Sequence, residues 1–224
     1  MCGRFVQSVD PETYARVFGA DVVVTEALTP SYNVAPTDRV YAVAEHDGSR
    51  RLGTFRWGLV PWWADDPKIG ARHINARAET VATKPAFKES FARKRCIVPA
   101  DGFYEWERTD TGRLPHYVQA VGGVPFAFAG LWASRRDPDT GERLTSCTIV
   151  TTDPNPLVEP IHDRMPVILP PETWDLWLDP DADDRDALLG LLRSAAPDVM
   201  TQYRVSTLVN SVRNNTPECI EPLR

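Results

Sequence analysis

No stretch of the 224 residues approaches the roughly 18–20 consecutive apolar positions of a membrane span, and the amino terminus lacks the apolar core of a secretory signal. A membrane or exported protein is therefore not expected, and the cytosol, or the nucleus in a eukaryote, is. Cysteine is scarce: Cys2, Cys96, Cys147 and Cys219 are far apart and form no C-x-x-C pair. That spacing suggests neither a zinc site nor a disulfide framework, so no metal or cofactor is expected and the last three cysteines read as structural thiols. Excess positive charge is missing too, with 25 Lys and Arg against 31 Asp and Glu. The formal charge of −6 argues mildly against a nucleic-acid partner. There is no internal repeat, low-complexity tract or long linker, so residues 1–224 are expected to form one domain, and a monomer. That length suffices for a core burying roughly 70–75% of the unfolded surface.

The charge is unevenly distributed. From Lys68 to Arg95 there are eight basic residues against two Glu, whereas Glu172 to Asp198 holds eight acids against two Arg. A basic run is often only a solvated face, and it gains interest where aromatic and reactive groups border it. Asp10-Pro11 reads as an N-cap followed by proline at the first helical position, with Gly19 closing that helix. Further short helices are predicted near residues 77–83, 86–93, 171–178 and 184–194. Strands are predicted around residues 40–44, 52–60, 95–98, 115–121, 125–132, 146–152 and 166–169, many bounded by Gly, Pro or Asp. Strands and helices do not alternate regularly. The expected fold is α+β, a single domain with a curved, mostly antiparallel sheet or barrel-like core flanked by short helices.

The second residue carries the most chemistry. Cysteine is small enough for the preceding methionine to be trimmed, which would leave an α-amine and a thiol on adjacent carbons. Their ordinary pKa values lie near ~7.7–8.0 and ~8.5, so each is partly nucleophilic at neutral pH. Such a 1,2-aminothiol traps an aldehyde as a Schiff base and then closes a five-membered thiazolidine. An amide or ester would instead be attacked by the sulfur with the amine as base.

Three polar groups lie in apolar surroundings. In His73-Ile74-Asn75-Ala76-Arg77-Ala78-Glu79, Asn75 is either an N-cap or a neutral donor and acceptor for a sugar hydroxyl, with Arg77 available to a phosphate. In Asp101-Gly102-Phe103-Tyr104-Glu105-Trp106, alternation sets Glu105 on the face opposite its aromatic neighbours. It is either an exposed ion-pair partner or a carboxyl whose burial raises its pKa for proton transfer. In Ile161-His162-Asp163-Arg164-Met165-Pro166, His162 is the best general acid or base among four histidines. Trp57-Gly58-Leu59-Val60-Pro61-Trp62-Trp63 precedes the basic run: its tryptophans either fill the core or supply the flat faces that, beside cations, single-stranded nucleic acid requires.

These segments, with Met1-Cys2-Gly3-Arg4-Phe5, Tyr32-Asn33-Val34-Ala35-Pro36-Thr37 and Arg95-Cys96-Ile97-Val98-Pro99-Ala100, resemble in order the SOS response-associated peptidases, or abasic-site processing proteins. The likeness runs on through Val205–Asn210 and Pro217–Cys219. It implies a single α+β domain that crosslinks covalently to abasic sites in single-stranded DNA, placing the protein in the cytoplasm and on the nucleoid when bound. It further implies that Cys2 forms a thiazolidine with the ring-opened deoxyribose once Met1 is removed, which would be the family's peptidase activity. Asn75 and His162 would sense and position the sugar, and Glu105 would assist proton transfer. Arg4, Asn33, Arg77 and Arg164 would contact the DNA, while Trp62 and Trp63 would interrupt base stacking. Alternatives in other classes are an N-terminal-nucleophile amidohydrolase, a cysteine peptidase using Cys2 and His162, and a non-catalytic reader of modified bases.

Overall fold

Residues 95–100 are buried without a break, and so are 40–44 and 146–152, as happens when a sheet is covered on both faces. The computed structural model describes residues 2–24, 27–136 and 141–223. Its strands are β1 (Phe5–Gln7), β2 (Val22–Val23), β3 (Ser31–Val34), β4 (Arg39–His46), β5 (Ser49–Trp57), β6 (Asn75–Arg77) and β7 (Arg95–Ala100). They continue with β8 (Gly102–Thr109), β9 (Gly112–Ala120), β10 (Phe126–Arg136), β11 (Arg143–Thr152), β12 (Met165–Pro166) and β13 (Met200–Arg204). The α-helices are α1 (Pro11–Phe18), α2 (Lys88–Arg93), α3 (Trp174–Leu178) and α4 (Arg185–Gly190).

One sheet runs β12-β11-β10-β7-β4-β5-β2, and β11 returns to β5 through the parallel pairs Ser146–Arg56 and Cys147–Trp57. Five strands thereby close into a barrel-like core. The second sheet, β13-β9-β8-β1-β3, is antiparallel throughout. The two-residue period of the strands sorts side chains between two cores. Val40, Ala42, Cys96 and Val98 join Cys2, Phe5, Trp57, Phe103 and Phe128 in one apolar cluster. Their neighbours Tyr41, Val43 and Ile97 join Tyr14, Phe18, Phe91 and Trp177 in the other, which the helices cover. The α+β class with a mostly antiparallel, barrel-like sheet is the one expected, and no helix among the described residues is long and apolar enough to cross a membrane.

Helix α1 forms as the sequence indicates: Asp10 accepts from the Thr13 amide, and Gly19 closes the end in the left-handed region at φ 64°. The predicted helix at 77–83 does not form. Asn75–Arg77 is instead a strand paired in parallel with Ile149–Thr151, and the Ala78 amide also donates to Thr151, so these backbone groups are committed to the sheet. The β-branched Thr80, Val81 and Thr83 that follow favour helix poorly and lie in turns. The strand expected over 52–60 stops at Trp57 because Gly58 adopts φ 126°. A side chain on Gly58 would meet the Gly70 carbonyl oxygen at 2.6 Å, so the loop that carries Trp62 and Trp63 is pinched backbone to backbone at its base. The helix expected over 184–194 ends at Gly190, and of the strand expected over 166–169 only Pro166 lies in a strand, β12, while Ile168 makes an isolated bridge to Phe128.

One buried cation holds the helices to the barrel. Arg95 donates to the carbonyls of Phe91, Ala92, Trp177, Asp179 and Ala182, closing the carboxyl ends of α2 and α3.

Candidate active site

Cys2 lies just ahead of β1, fully buried in the inner apolar cluster. Strand β1 is held between β8 and β3, and its neighbour β8 carries Glu105. The Cys2 carbonyl accepts a 2.8 Å hydrogen bond from the Asn75 side-chain amide, contributed by β6. Strand β6 takes its place from the parallel ladder with β11 and from the Ile74 carbonyl, which accepts from the Trp57 indole at 2.9 Å. The Asn75 carbonyl oxygen Oδ1 is buried and has no hydrogen-bond partner among the described residues. It is a buried, unmatched acceptor on a strand, and no helix follows for it to cap.

Glu105 is 2% exposed, so the exposed ion-pair alternative does not hold. Its Oε2 lies 3.8 Å from Nε2 of His162, which arrives on the segment after a turn at residues 156–161. Burial pushes the Glu105 carboxyl up to about 7, and the negative charge of Asp163 adds to the rise. The same burial, with the nearby Glu105 charge, pushes the Cys2 thiol well above the ordinary thiol range. Burial lowers His162 below the usual imidazole value, with Asp163 opposing. On His162, Nδ1 accepts from the Arg164 amide at 3.0 Å and lies 2.9 Å from the Asp163 carboxylate. The amide requires a lone pair on Nδ1 and the carboxylate requires a proton there, so this nitrogen serves one of the two contacts at a time. The group therefore comprises a protonated thiol, a carboxyl balanced near neutrality and a histidine held largely uncharged.

The remaining residues named from the sequence surround this centre at different distances. Arg4 donates to Oδ1 of Asn33 at 2.8 Å and to the Val209 carbonyl at 3.0 Å. Asn33 is itself buried and donates to the carbonyls of Val209, Ser211 and Asn214, so it acts on Arg4 from beneath. Arg4 also lines a cleft of about 350 Å3 with Gly3, Trp106, Arg113 and Asn210. Arg77 is exposed at the end of β6, two positions from Asn75. Arg164 is engaged by Glu79 through two bonds of 2.7 and 3.0 Å, by Asp153 at 2.7 Å and by the Thr151 carbonyl at 2.8 Å. Trp62 and Trp63 are 61% and 47% exposed, and the Trp62 indole donates to Glu89 in the first turn of α2. They form a separate aromatic edge.

Sequence reasoning passed over His116. Its Nε2 lies 3.1 Å from a Glu107 carboxylate oxygen and its Nδ1 2.6 Å from the Gln202 side-chain oxygen, while the ladder sets it directly opposite Glu105. The signal was present in the hairpin: a turn at Asp110-Thr111 pairs Thr109 with Gly112 and, counting back, Glu105 with His116.

The sequence and the fold have counterparts in known proteins. Abasic site processing protein YoqW of Bacillus subtilis (strain 168) is 47% identical over 223 residues, 99% of each chain. Abasic site processing protein YedK of Escherichia coli (strain K12) is 31% identical over the whole of both chains. Abasic site processing protein HMCES of Xenopus tropicalis is 37% identical over 88% of this chain and 67% of its own. The crystal structure of a structural-genomics target from Bacteroides thetaiotaomicron matches the full length of both chains with a TM-score of 0.89 at 28% identity. The family profile described as SOS response associated peptidase (SRAP) covers residues 1–212. With the profile spanning nearly the whole chain and full-length relatives this similar, the protein belongs to the SOS response-associated peptidase family.

Proposed function

We propose that this protein processes abasic sites, capturing the exposed sugar of single-stranded DNA in a covalent thiazolidine with Cys2. Hydrolysis of the Met1–Cys2 peptide bond consumes one water and frees the amine; Met1 itself lies outside the described residues. The amine adds to the C1 aldehyde of the ring-opened deoxyribose, and one water leaves as the Schiff base forms. The Cys2 sulfur then adds to the imine carbon, and its proton passes to the nitrogen. Ring closure thus joins nitrogen and sulfur to one carbon with net loss of a single water.

The observation that carries this reading is the Glu105 carboxyl, balanced near pH 7 by burial beside Cys2 and within 3.8 Å of His162. A buried thiol resists ionising and needs a base at hand, and the Glu105 carboxylate takes its proton as the sulfur closes on the imine carbon, the new carbon–sulfur bond driving a transfer that is unfavourable by itself. His162 opens the closed sugar by exchanging a proton with its ring oxygen. The unmatched Asn75 oxygen accepts from a sugar hydroxyl while its amide holds the Cys2 carbonyl. Arg4, braced by Asn33, and the exposed Arg77 bind flanking phosphates. Arg164 is balanced by two carboxylates, so a phosphate there must displace the exposed Asp153. Trp62 and Trp63 stack against bases beyond the gap. The relatives, abasic site processing proteins, support abasic DNA as substrate. Such a site lacks stacking and pairing, so lodging it costs less than the few kcal/mol of flipping an intact nucleotide.

The test is a denaturing gel of the protein mixed with single-stranded DNA carrying one abasic site. A retarded band is expected, absent in Cys2→Ala and absent when the terminal amine is acetylated. A band that persists after acetylation overturns the thiazolidine.

A further inference from the structure

None of the residues named for the DNA chemistry lines a cleft of about 570 Å3 that lies between the turn joining β9 to β10, the chain entering α3 and the chain leaving α4. Phe126 reaches it from beneath, buried and stacked on Phe128 of the inner cluster. Val124, Ile168, Trp174, Leu191 and Val199 stand around it. The three segments are tied to the fold and to one another. The Leu169 amide donates to the Ala127 carbonyl at 2.8 Å, the Trp174 indole to the Leu169 carbonyl at 3.0 Å and the Val121 amide to the Val199 carbonyl at 3.0 Å. Beyond α4, the Ala195 carbonyl accepts from Asn155 at 2.9 Å, and the Ser194 hydroxyl donates to the Asp153 carbonyl at 2.8 Å. The cleft is thus formed in advance, as binding sites usually are. Its apolar surface continues past the rim, where Val121, Val124 and Val199 are 60%, 55% and 46% exposed. That extension is more than a small enclosed molecule would cover, and it suits another protein chain.

Among the described residues, one charged side chain lines the cleft, Arg193. Its guanidinium lies over Gly190, where an added side chain would begin 3.8 Å from Nη2. Arg4, Arg95 and Arg164 are each bonded within the fold, whereas the Arg193 side chain makes no hydrogen bond or ion pair among the described residues. It is free although residues 172–198 hold eight acids. The acids next to the lining residues, Glu172 and Asp198, are exposed and do not line the cleft. A free guanidinium beside apolar walls offers its paired N–H groups to a carboxylate.

We propose that the cleft docks a partner protein through a short apolar segment bearing one carboxylate, with the apolar side chains seated against Phe126 and Trp174 and the carboxylate on Arg193. The acids just outside the rim repel segments carrying several negative charges, which confines the partner to a single one. This surface stands independently of the DNA chemistry.

The test titrates the peptide acetyl-Leu-Phe-Leu, whose free carboxyl end supplies both features, into the 15N-labelled full-length protein. Its amide-capped form, acetyl-Leu-Phe-Lys-amide and decanoate are titrated in parallel. The free-acid peptide is expected to shift the backbone amides of Val121, Val124, Leu191 and Val199 with a Kd below about 1 mM. Capping should weaken it roughly tenfold, the contribution of one charge-assisted hydrogen bond. Arg193→Gln should abolish that difference, and Val199→Asp, which sets a carboxylate at the rim, should weaken the free acid more than the capped peptide. Equal affinity of the two forms for the wild type overturns the proposal, as does tighter binding of the lysine peptide or the absence of shifts at these amides. Decanoate binding more tightly than the peptide would assign the cleft to an amphiphilic acid. Shifts that follow protein concentration without peptide would assign it to a second copy of the chain. Either result overturns the partner segment.

Discussion

Arg95 and Glu105 are each 2% exposed, yet the molecule treats them in opposite ways. Arg95 has its guanidinium shared among five backbone carbonyls at the ends of two helices. Burial lowers its pKa, but an arginine starts so high that it stays charged, and its donors are matched in number to their acceptors. Glu105 faces a thiol, a histidine and a second histidine across the ladder, in surroundings that raise its carboxyl to about 7. The lesson is that burial by itself does not mark a working group. A buried charge that its surroundings complete is structural, and one left balanced between two protonation states is chemical.

The largest effect that could break this contrast is the loss of Arg95. Arg95→Met orphans several buried carbonyls and is expected to cost about 3–5 kcal/mol in urea unfolding. Molecules that remain folded should crosslink at the wild-type rate. A cost under about 1 kcal/mol would remove the structural half of the comparison. Glu105→Gln should do the reverse. The raised carboxyl keeps its proton in the native state while the unfolded chain loses it, so wild-type stability falls as pH rises from about 4.5 to about 7. The glutamine variant should show no such decline and be more stable by about 2–3 kcal/mol at pH 8, while its crosslinking slows about 100-fold. Stability that instead climbs over that pH window would contradict the assignment of burial as the dominant influence. Asn75→Ala sharpens the contrast within the site, since it removes one useful bond together with one unmatched acceptor. Its expected stability cost is only about 1 kcal/mol, against a roughly tenfold slower crosslink in a timed gel assay. Trp62→Ala should be smallest, within about 0.5 kcal/mol by thermal melting, because a side chain 61% exposed supports little of the core.

How much of this was legible in the chain depends on whether the deciding force was local. Helix α1 was readable because the Asp10-Pro11 start and the Gly19 stop act within a few residues. The long barrel strands were readable as strand-like segments, many of them bounded by Gly, Pro or Asp. The strand at Asn75–Arg77 was not, since nothing within the segment outweighs its helical composition; the partner that converts it, β11, lies more than seventy residues on. Short β1 and β3 were hidden for the same reason, being three and four residues long and held by pairing alone. In the site, Cys2 stood out by its chemistry and Glu105 by its aromatic neighbours. The engagement of Arg164 with two carboxylates from distant segments is a product of folding and leaves no trace in local sequence. His116 is intermediate: its partner could be counted from the hairpin turn, but its two acceptors could not.

The pinch between Gly58 and Gly70 has a mechanical consequence. Neither glycine has a side chain that could change rotamer, and the Gly58 amide is tied at 2.8 Å to the Cys147 carbonyl at the barrel seam. The tryptophan tip is consequently a short lever on a stiff pivot. A load on its aromatic end is delivered to the seam that closes the barrel, and the tip gives up little disorder when it is gripped.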